Sequence, residues 1–290
     1  MLVSYKIVAM AISAELAERR SVLEQQLSSL GRTLVAYSGG TDSAFLAWAA
    51  HQALGDGMMA VIADSPSLAR FQLADAVAFA QEQSIPLEII RTDELNRAEY
   101  VRNDSSRCFH CKDELFTVME QFAKDRDFQT IAYGVNVDDK GDFRPGQIAA
   151  ARHRVAAPLL EAGFTKQNIR DLARDAGLRI WDKPASACLS SRIEYGRPVT
   201  TEALSAVERG EDALRSLGFR QFRVRHHGDI VRIEIAREEM RRALTQEMAV
   251  EFSKIFKGFG FKFVTLDLEG FRSGSMNALL PPEELVFRQK

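Results

Sequence analysis

Two rhythms of apolar residues run along the chain. Up to about residue 182, short runs rich in Val, Ile and Ala alternate with longer stretches of helical spacing. The runs at 33–37, 59–63, 87–90 and 130–133, and a weaker one at 179–181, read as strands buried on both faces. The stretches 43–54, 67–83, 112–125 and 166–176 repeat apolar residues three and four apart, as amphipathic helices do. Strand and helix in alternation predict crossovers, and hence an α/β fold with a doubly wound parallel sheet. Ahead of the first strand, Leu16, Leu23, Leu27 and Leu30 recur at helical spacing. Glu15 and Glu18 lie in the first turn and Gly31 follows as a stop. That pattern predicts a helix running straight into the fold.

After about residue 191 the order changes. A helix at 201–217 stops at Gly218. Strands at 219–225 and 230–235 flank a turn at His227-Gly228-Asp229. A helix over 238–256 and a strand at 261–266 follow. The expectation is a smaller C-terminal α+β domain, with the division 1–190 and 191–290.

Composition narrows the class only a little. The 290 residues are 46% hydrophobic and 27% charged, with a net charge of -2. This is ordinary for a soluble enzyme and gives no general attraction to nucleic acid or to an anionic membrane. No apolar run reaches the roughly 18 residues needed to span a bilayer. The stretch 7–12 after Lys6 has a faint leader-like look, but a helix entering the fold predicts a cytoplasmic protein. Three cysteines, an odd number, point to metal or thiol chemistry over a disulfide framework.

In doubly wound sheets, ligands sit at the carboxyl ends of the strands. The first strand ends in Ser38-Gly39-Gly40-Thr41-Asp42-Ser43. Two glycines let the backbone approach phosphate oxygens, and the helix that follows directs its N–H groups at an anion. Ser38, Thr41 and Ser43 offer hydroxyl donors, and Asp42 suits Mg²⁺ or a helix cap. The hexapeptide has no Walker lysine and is not a dinucleotide fingerprint. A ligand-free Gly-Gly turn is the bland alternative. Asp64, in Asp64-Ser65-Pro66, closes the second strand. Gly134, in Gly134-Val135-Asn136, closes the fourth. Each is either a simple turn or an ATP contact.

Cys108 and Cys111 lie in Arg107-Cys108-Phe109-His110-Cys111-Lys112, just before a helix, and Cys188 lies far downstream. Three readings stand open. The three thiolates could hold a [4Fe–4S] cluster that keeps one iron without a protein ligand. Cys188 could be a reactive thiol, with Lys183 and Arg192 favouring its thiolate. Or the three could be unrelated small hydrophobes. Structural zinc would need a fourth ligand, for which His110 is a candidate. In the C-terminal hairpin, period-two alternation puts Arg223, Arg225, Arg232 and Glu234 on one face. Phe222, Val224, Val231, Ile233 and Ile235 take the other. Guanidinium groups suit phosphate and carboxylate; an ordinary solvated face is the alternative.

The hexapeptide resembles the SGGxDS signature of the PP-loop ATP-pyrophosphatases, which cleave ATP to AMP and pyrophosphate. Further motifs narrow this. They are the Arg-Cys-x-x-Cys-Lys segment 107–112, Asn136-Val137-Asp138-Asp139 and Asp142-Phe143-Arg144-Pro145-Gly146. Others are Trp181-Asp182-Lys183-Pro184, Ala187-Cys188-Leu189-Ser190-Ser191-Arg192 and Arg223-Val224-Arg225-His226-His227-Gly228. The last is Phe271-Arg272-Ser273-Gly274-Ser275-Met276-Asn277. Together they resemble the LarE family of ATP-dependent sulfur transferases, which build the nickel-pincer nucleotide cofactor of lactate racemase.

The resemblance implies adenylation of a carboxylate on pyridinium-3,5-dicarboxylate mononucleotide, then replacement of AMP by sulfur. It implies Ser38, Asp42 and Cys188 in catalysis. Ser38, Gly39, Gly40, Thr41, Asp42 and Ser43, with Asp64 and Gly134, would bind ATP and Mg²⁺. Arg192, Arg223 and Arg225 would bind the substrate, with Lys112 and Arg272 as further candidates. The full set Cys108, Cys111 and Cys188 resembles the members with a [4Fe–4S] cluster; others give up the sulfur of a cysteine at the Cys188 position. A homo-oligomer acting on a small nucleotide is implied. Tyr133 replaces the acidic residue usual before Gly134, which bears on Mg²⁺ binding. A tRNA thiolase, an amide-forming ligase and an ATP sensor are the competing functions. The slightly acidic balance speaks against the first, and three cysteines are superfluous in the second.

Overall fold

The computed structural model describes residues 13–140, 145–184, 187–272 and 274–281. Residues 6–12, Asp142-Phe143-Arg144, Ala185-Ser186 and Ser273, which carry some of the expectations above, lie outside the described residues.

The first part of the chain is built from α1 (Ala14–Ser29), β1 (Thr33–Ala36), α2 (Thr41–Leu54), β2 (Met58–Asp64), α3 (Arg70–Glu82) and β3 (Leu87–Arg91). Next come α4 (Ala98–Val101), α5 (Arg107–Asp125), β4 (Thr130–Tyr133), α6 (Pro145–Arg152), α7 (Pro158–Glu161) and α8 (Lys166–Asp175). The strands form one parallel sheet in the order β3-β2-β1-β4. On the outer side of β4, Ala132 makes a parallel bridge to Ala156. Alternate residues of β1 bury on opposite faces. Val35 joins a core with Phe45, Phe164 and Leu172, while Leu34 and Ala36 join Phe116 and Met119. That division is the doubly wound arrangement, with apolar helices on both faces.

The second part comprises α9 (Thr201–Ser216), β5 (Phe222–His227), β6 (Ile230–Ile235), α10 (Met240–Ala243), α11 (Gln246–Gly258) and β7 (Phe263–Leu266). β5 and β6 pair antiparallel, and β7 adds parallel to β6. The face carrying Val224, Val231 and Ile233 packs on Leu214, Phe252 and Phe256 of the helices. The expected division after residue 190 falls inside a short 3₁₀ turn, Leu189–Arg192. Just beyond it, Ile193 bridges to His226 and the Glu194 N–H donates to the His226 carbonyl at 3.0 Å.

Three expected elements change. Residues 179–181 form a turn and not a strand. Gly177 adopts a φ of +70° after α8 and the Trp181 N–H donates back to Leu178, so the apolar Leu178 and Ile180 bury from a turn. The helix expected from 112 begins at Arg107, which puts the cysteine pair within its first turns. Its opening is polar because Arg107 and Asp113 are themselves buried, and that hid the periodicity. The long helix at 238–256 is broken, because Thr245 caps a new helix by accepting from the Met248 N–H.

Candidate active site

The strand β1 runs into the phosphate-loop hexapeptide. Gly39 takes a φ of +72°, and a side chain there would meet Ala76 of α3 at 2.6 Å. The loop therefore requires glycine twice over, by conformation and by space. Ser38 Oγ and Ser43 Oγ lie 3.0 Å apart, and Ser43 Oγ accepts from the Ser38 N–H at 3.1 Å. Thr41 Oγ1 donates to the Ile180 carbonyl at 3.1 Å. Two of the hydroxyls that the sequence offers as phosphate donors thus close the loop on itself, and that of Thr41 ties it to the turn at Ile180. The first N–H groups of α2 have no partner within a helix by construction. They and the dipole end are what the loop presents to an anion.

Asp42 Oδ2 accepts from Asn136 Nδ2 at 3.0 Å, which ties the α2 start to the segment after β4. The contact is possible because the backbones approach closely. A Cβ on Gly134 would lie 2.8 Å from the Ser43 nitrogen. Asn136 in turn caps the next turn, with Asp139 reaching back to its N–H. Lys183, expected to favour the Cys188 thiolate, belongs instead to the phosphate loop. Its Nζ donates to the Gly39 carbonyl at 2.8 Å and pairs with Asp75. Asp75 also pairs with Arg179. Burial would raise the Asp75 carboxyl, but the bonds from Lys183 and Arg179 hold it below its ordinary range.

At the end of β2, Asp64 pairs with Arg70, whose guanidinium also donates to the carbonyls of Ser65 (2.8 Å) and Leu68 (2.7 Å). This clamps a turn in which Ser65 bonds buried Glu94 and accepts from the Ser67 N–H. The Ser67 carbonyl accepts from the Leu189 N–H at 2.8 Å. The strand end expected to face ATP and the loop carrying Cys188 are therefore joined through residues 64–67.

Cys108 and Cys188 flank Arg107, which is buried at 3% exposure, and Cys111 lies within electrostatic reach of both cysteines. Its guanidinium donates to Asn103 and to the Ser190 carbonyl (2.9 Å), and reaches Cys108 Sγ at 4.0 Å. Burial works against its charge, yet Cys108 and Cys188 beside it raise its pKa overall. The Cys188 thiol is pulled the other way. Burial opposes its ionisation, but Arg107, a hydrogen bond with Ser190 (3.0 Å) and Arg192 together lower its pKa. The Cys111 thiol is pushed up to about 12 by burial, with Cys188, Glu94 and Cys108 adding to the rise. Cys108 is exposed.

Arg192 lies almost wholly inside the protein. It donates to the carbonyls of Ala187 (2.6 Å) and Cys188 (2.8 Å) and forks onto buried Glu211 at 2.9 and 3.2 Å. In this geometry it braces the cysteine loop. Arg225 is also buried. It bonds Glu234 at 2.8 Å, Ser275 Oγ at 3.0 Å and the Ser191 carbonyl at 3.3 Å, and its Nε is buried without a partner among the described residues. Arg223 opposes Glu234 across the hairpin and lies over the Phe271 ring. Burial, then the charges of Arg192 and Arg225, lower its pKa to about 10. The polar face of the smaller sheet is thus an arginine cluster with Arg225 buried and Arg223 and Arg232 half-buried, and not a fully solvated surface. Arg272 pairs with Glu269 at 2.5 Å, and Lys112 lies over the Phe116 ring.

A pyridinium-3,5-bisthiocarboxylic acid mononucleotide synthase from Lactiplantibacillus plantarum is 34% identical over 274 residues, covering 94% of this chain and 99% of that protein. The chain belongs to the LarE family. An uncharacterized protein of Synechocystis is 41% identical over 89% of the chain and 96% of its own length. One from Methanocaldococcus jannaschii is 26% identical over 83% and 91%. No family model matches the chain.

Against this LarE background, sequence reasoning passed over several residues. Asn103, at φ +57°, bonds the carbonyls of Glu194 and Arg197 at 2.9 Å each and thereby pins the loop after Cys188. Tyr100 and Ser67 meet through their hydroxyls beneath the cysteines. Glu211 had a signal. It follows Val207 by four positions on the buried face of α9, where a lone carboxylate needs a cation. Among the described residues, no three His, Cys, Asp or Glu gather around one metal ion, and no helix is long and apolar enough to cross a membrane.

Proposed function

We propose that this LarE-family protein is an ATP-dependent sulfur transferase acting on a pyridinium dicarboxylate mononucleotide. A substrate carboxylate oxygen attacks the α-phosphorus of ATP, and the bond to pyrophosphate breaks. Sulfur then attacks the acyl carbon, the carbon–oxygen bond to AMP breaks, and a thiocarboxylate remains. The observation that supports this most is the turn 64–67. It closes β2 at the expected nucleotide edge and grips the Cys188 loop through Leu189. The name of the L. plantarum relative agrees with the product.

In this reading the phosphate loop binds the pyrophosphate portion with backbone N–H groups at the start of α2. Asp42, oriented by Asn136, suits Mg²⁺, an ion held by one or two carboxylates together with phosphates. When bound, Mg²⁺ would neutralise charge on the phosphates. The buried arginine cluster around Arg223 and Arg225 suits the substrate phosphate, and the unpartnered Arg225 Nε favours an anion there. Arg192 orients the loop.

The three thiols fit a [4Fe–4S] group. Cys108 and Cys188 share the buried Arg107, and Cys111 lies within electrostatic reach of both. Such a group, when bound, would supply exchangeable sulfide. A second reading of the sulfur source is donation by Cys188 itself, favoured by its lowered pKa.

The test is purified protein with ATP, Mg²⁺ and the mononucleotide. The expected outcome is pyrophosphate release and a thiocarboxylate product, both lost in Asp42→Ala. Absence of pyrophosphate release by the unmodified protein would overturn the proposal. Iron and acid-labile sulfide in anaerobic protein would favour the cluster. Sulfur missing from Cys188 after turnover would favour donation.

A further inference from the structure

A buried phenol links the two halves of this site. Tyr100 is 1% exposed, on the short helix α4. Its ring packs with Ala69, Leu189, Ile193 and Val199, and Cys111 lies against the same apolar cluster. The cluster brings together the turn after β2, the CxxC helix and the segment that follows Cys188. Packing alone would be served by phenylalanine. The hydroxyl is a polar group in an apolar cluster, costly unless bonded.

It is bonded, to the turn that grips the Cys188 loop. The Tyr100 hydroxyl meets Ser67 Oγ, and Leu189, the residue after Cys188, lies in the same apolar cluster as the ring. Ser190 Oγ lies 3.0 Å from Cys188 Sγ. Ser67 also holds the loop by its carbonyl, through Leu189, and donates its N–H to Ser65 next to the β2 terminus. Ser67 therefore joins the phenol to the nucleotide strand end on one side and to the Cys188 loop on the other.

We infer that Tyr100 is a positioning residue for sulfur transfer: its hydroxyl fixes Ser67, whose carbonyl holds Leu189 and with it the Cys188 loop, while the Ser67 N–H ties that setting to the nucleotide strand end. This rests on the proposed function. Among the described residues the phenol hydroxyl makes no hydrogen bond to the phosphate loop, so adenylation should proceed without it. Only the second half-reaction should feel the loss.

The experiment compares Tyr100→Phe with the unmodified protein, reading pyrophosphate release and thiocarboxylate formation in the same samples. Pyrophosphate release should be unchanged. Thiocarboxylate formation at saturating substrate should fall roughly tenfold, the scale of one buried hydrogen bond. Ser67→Ala, which removes the phenol's partner and keeps the ring, should shift the same ratio in the same direction. It stands in if Tyr100→Phe melts early. Equal loss of both half-reactions, or loss of neither, would overturn the inference and leave the function standing. An unmodified protein that releases no pyrophosphate would overturn both.

Discussion

In the phosphate loop, three hydroxyls and two glycines hold the backbone, and the one carboxylate, on Asp42, is steadied by an uncharged amide. In the cysteine loop, two buried guanidinium groups do the holding, Arg107 through the Ser190 carbonyl and Arg192 through those of Ala187 and Cys188. Under the proposed function the difference follows from what each must meet. A polyanion arriving with its cation is best received by neutral dipoles that neither repel the metal nor trap the product. A sulfur that must act as a nucleophile needs a permanent positive field, because burial alone favours the thiol. The phosphate loop is set mainly by its own chain conformation, with one distant cation, Lys183, on the Gly39 carbonyl. The charged loop needs buried counter-charges from distant parts of the chain, Glu211 above all.

This contrast can be broken first at Arg192. Arg192→Met leaves Glu211 buried without its cation and should lower stability by about 3–5 kcal/mol, read by urea denaturation. A loss below about 1 kcal/mol, the scale of an exposed ion pair, would mean that charge does not hold the cysteine loop. The phosphate loop should answer to shape instead. Gly134→Ala places a methyl 2.8 Å from the Ser43 nitrogen and should cost about 1–3 kcal/mol while slowing pyrophosphate release. Unchanged stability and release would show that the two backbones need not approach so closely.

The smallest effect concerns Asp75, the charged support outside the phosphate loop. Its carboxyl is held below its ordinary value of 3.8, so its contribution to stability is full above that value. The contribution is lost as the pH falls through the lower, folded-state value. Melting curves of Asp75→Asn should therefore trail the unmodified protein at neutral pH, with the gap closing in acid. A gap independent of pH would remove Asp75 from the ionic support of Lys183.

The phosphate loop was legible because it is six consecutive residues between a strand and a helix. The cysteines were legible as candidates, and the alternation of β5 and β6 correctly gathered the arginines. The burial of that face was not legible, since it depends on Ser191 and Ser275 arriving from elsewhere. Tyr100, Asn103 and Ser67 carried no motif. Each acts through residues remote in the chain, and a tyrosine on a four-residue helix has no period to announce its burial. Residues 179–181 misled because apolar content without a neighbouring strand is only a buried turn.

The parallel bridge from Ile193 to His226 has a bearing on inheritance. Five residues after its sulfur, the cysteine loop becomes an edge of the smaller sheet, so the two are one fabric. Recombination that swapped the last hundred residues between relatives would cut between Ser190 and Ser191, separating Cys188 from the arginine that braces it. Offspring of such a cross would keep a phosphate loop and mislay the sulfur's footing. Lineages should therefore pass on the stretch from Cys188 through the hairpin as a single block.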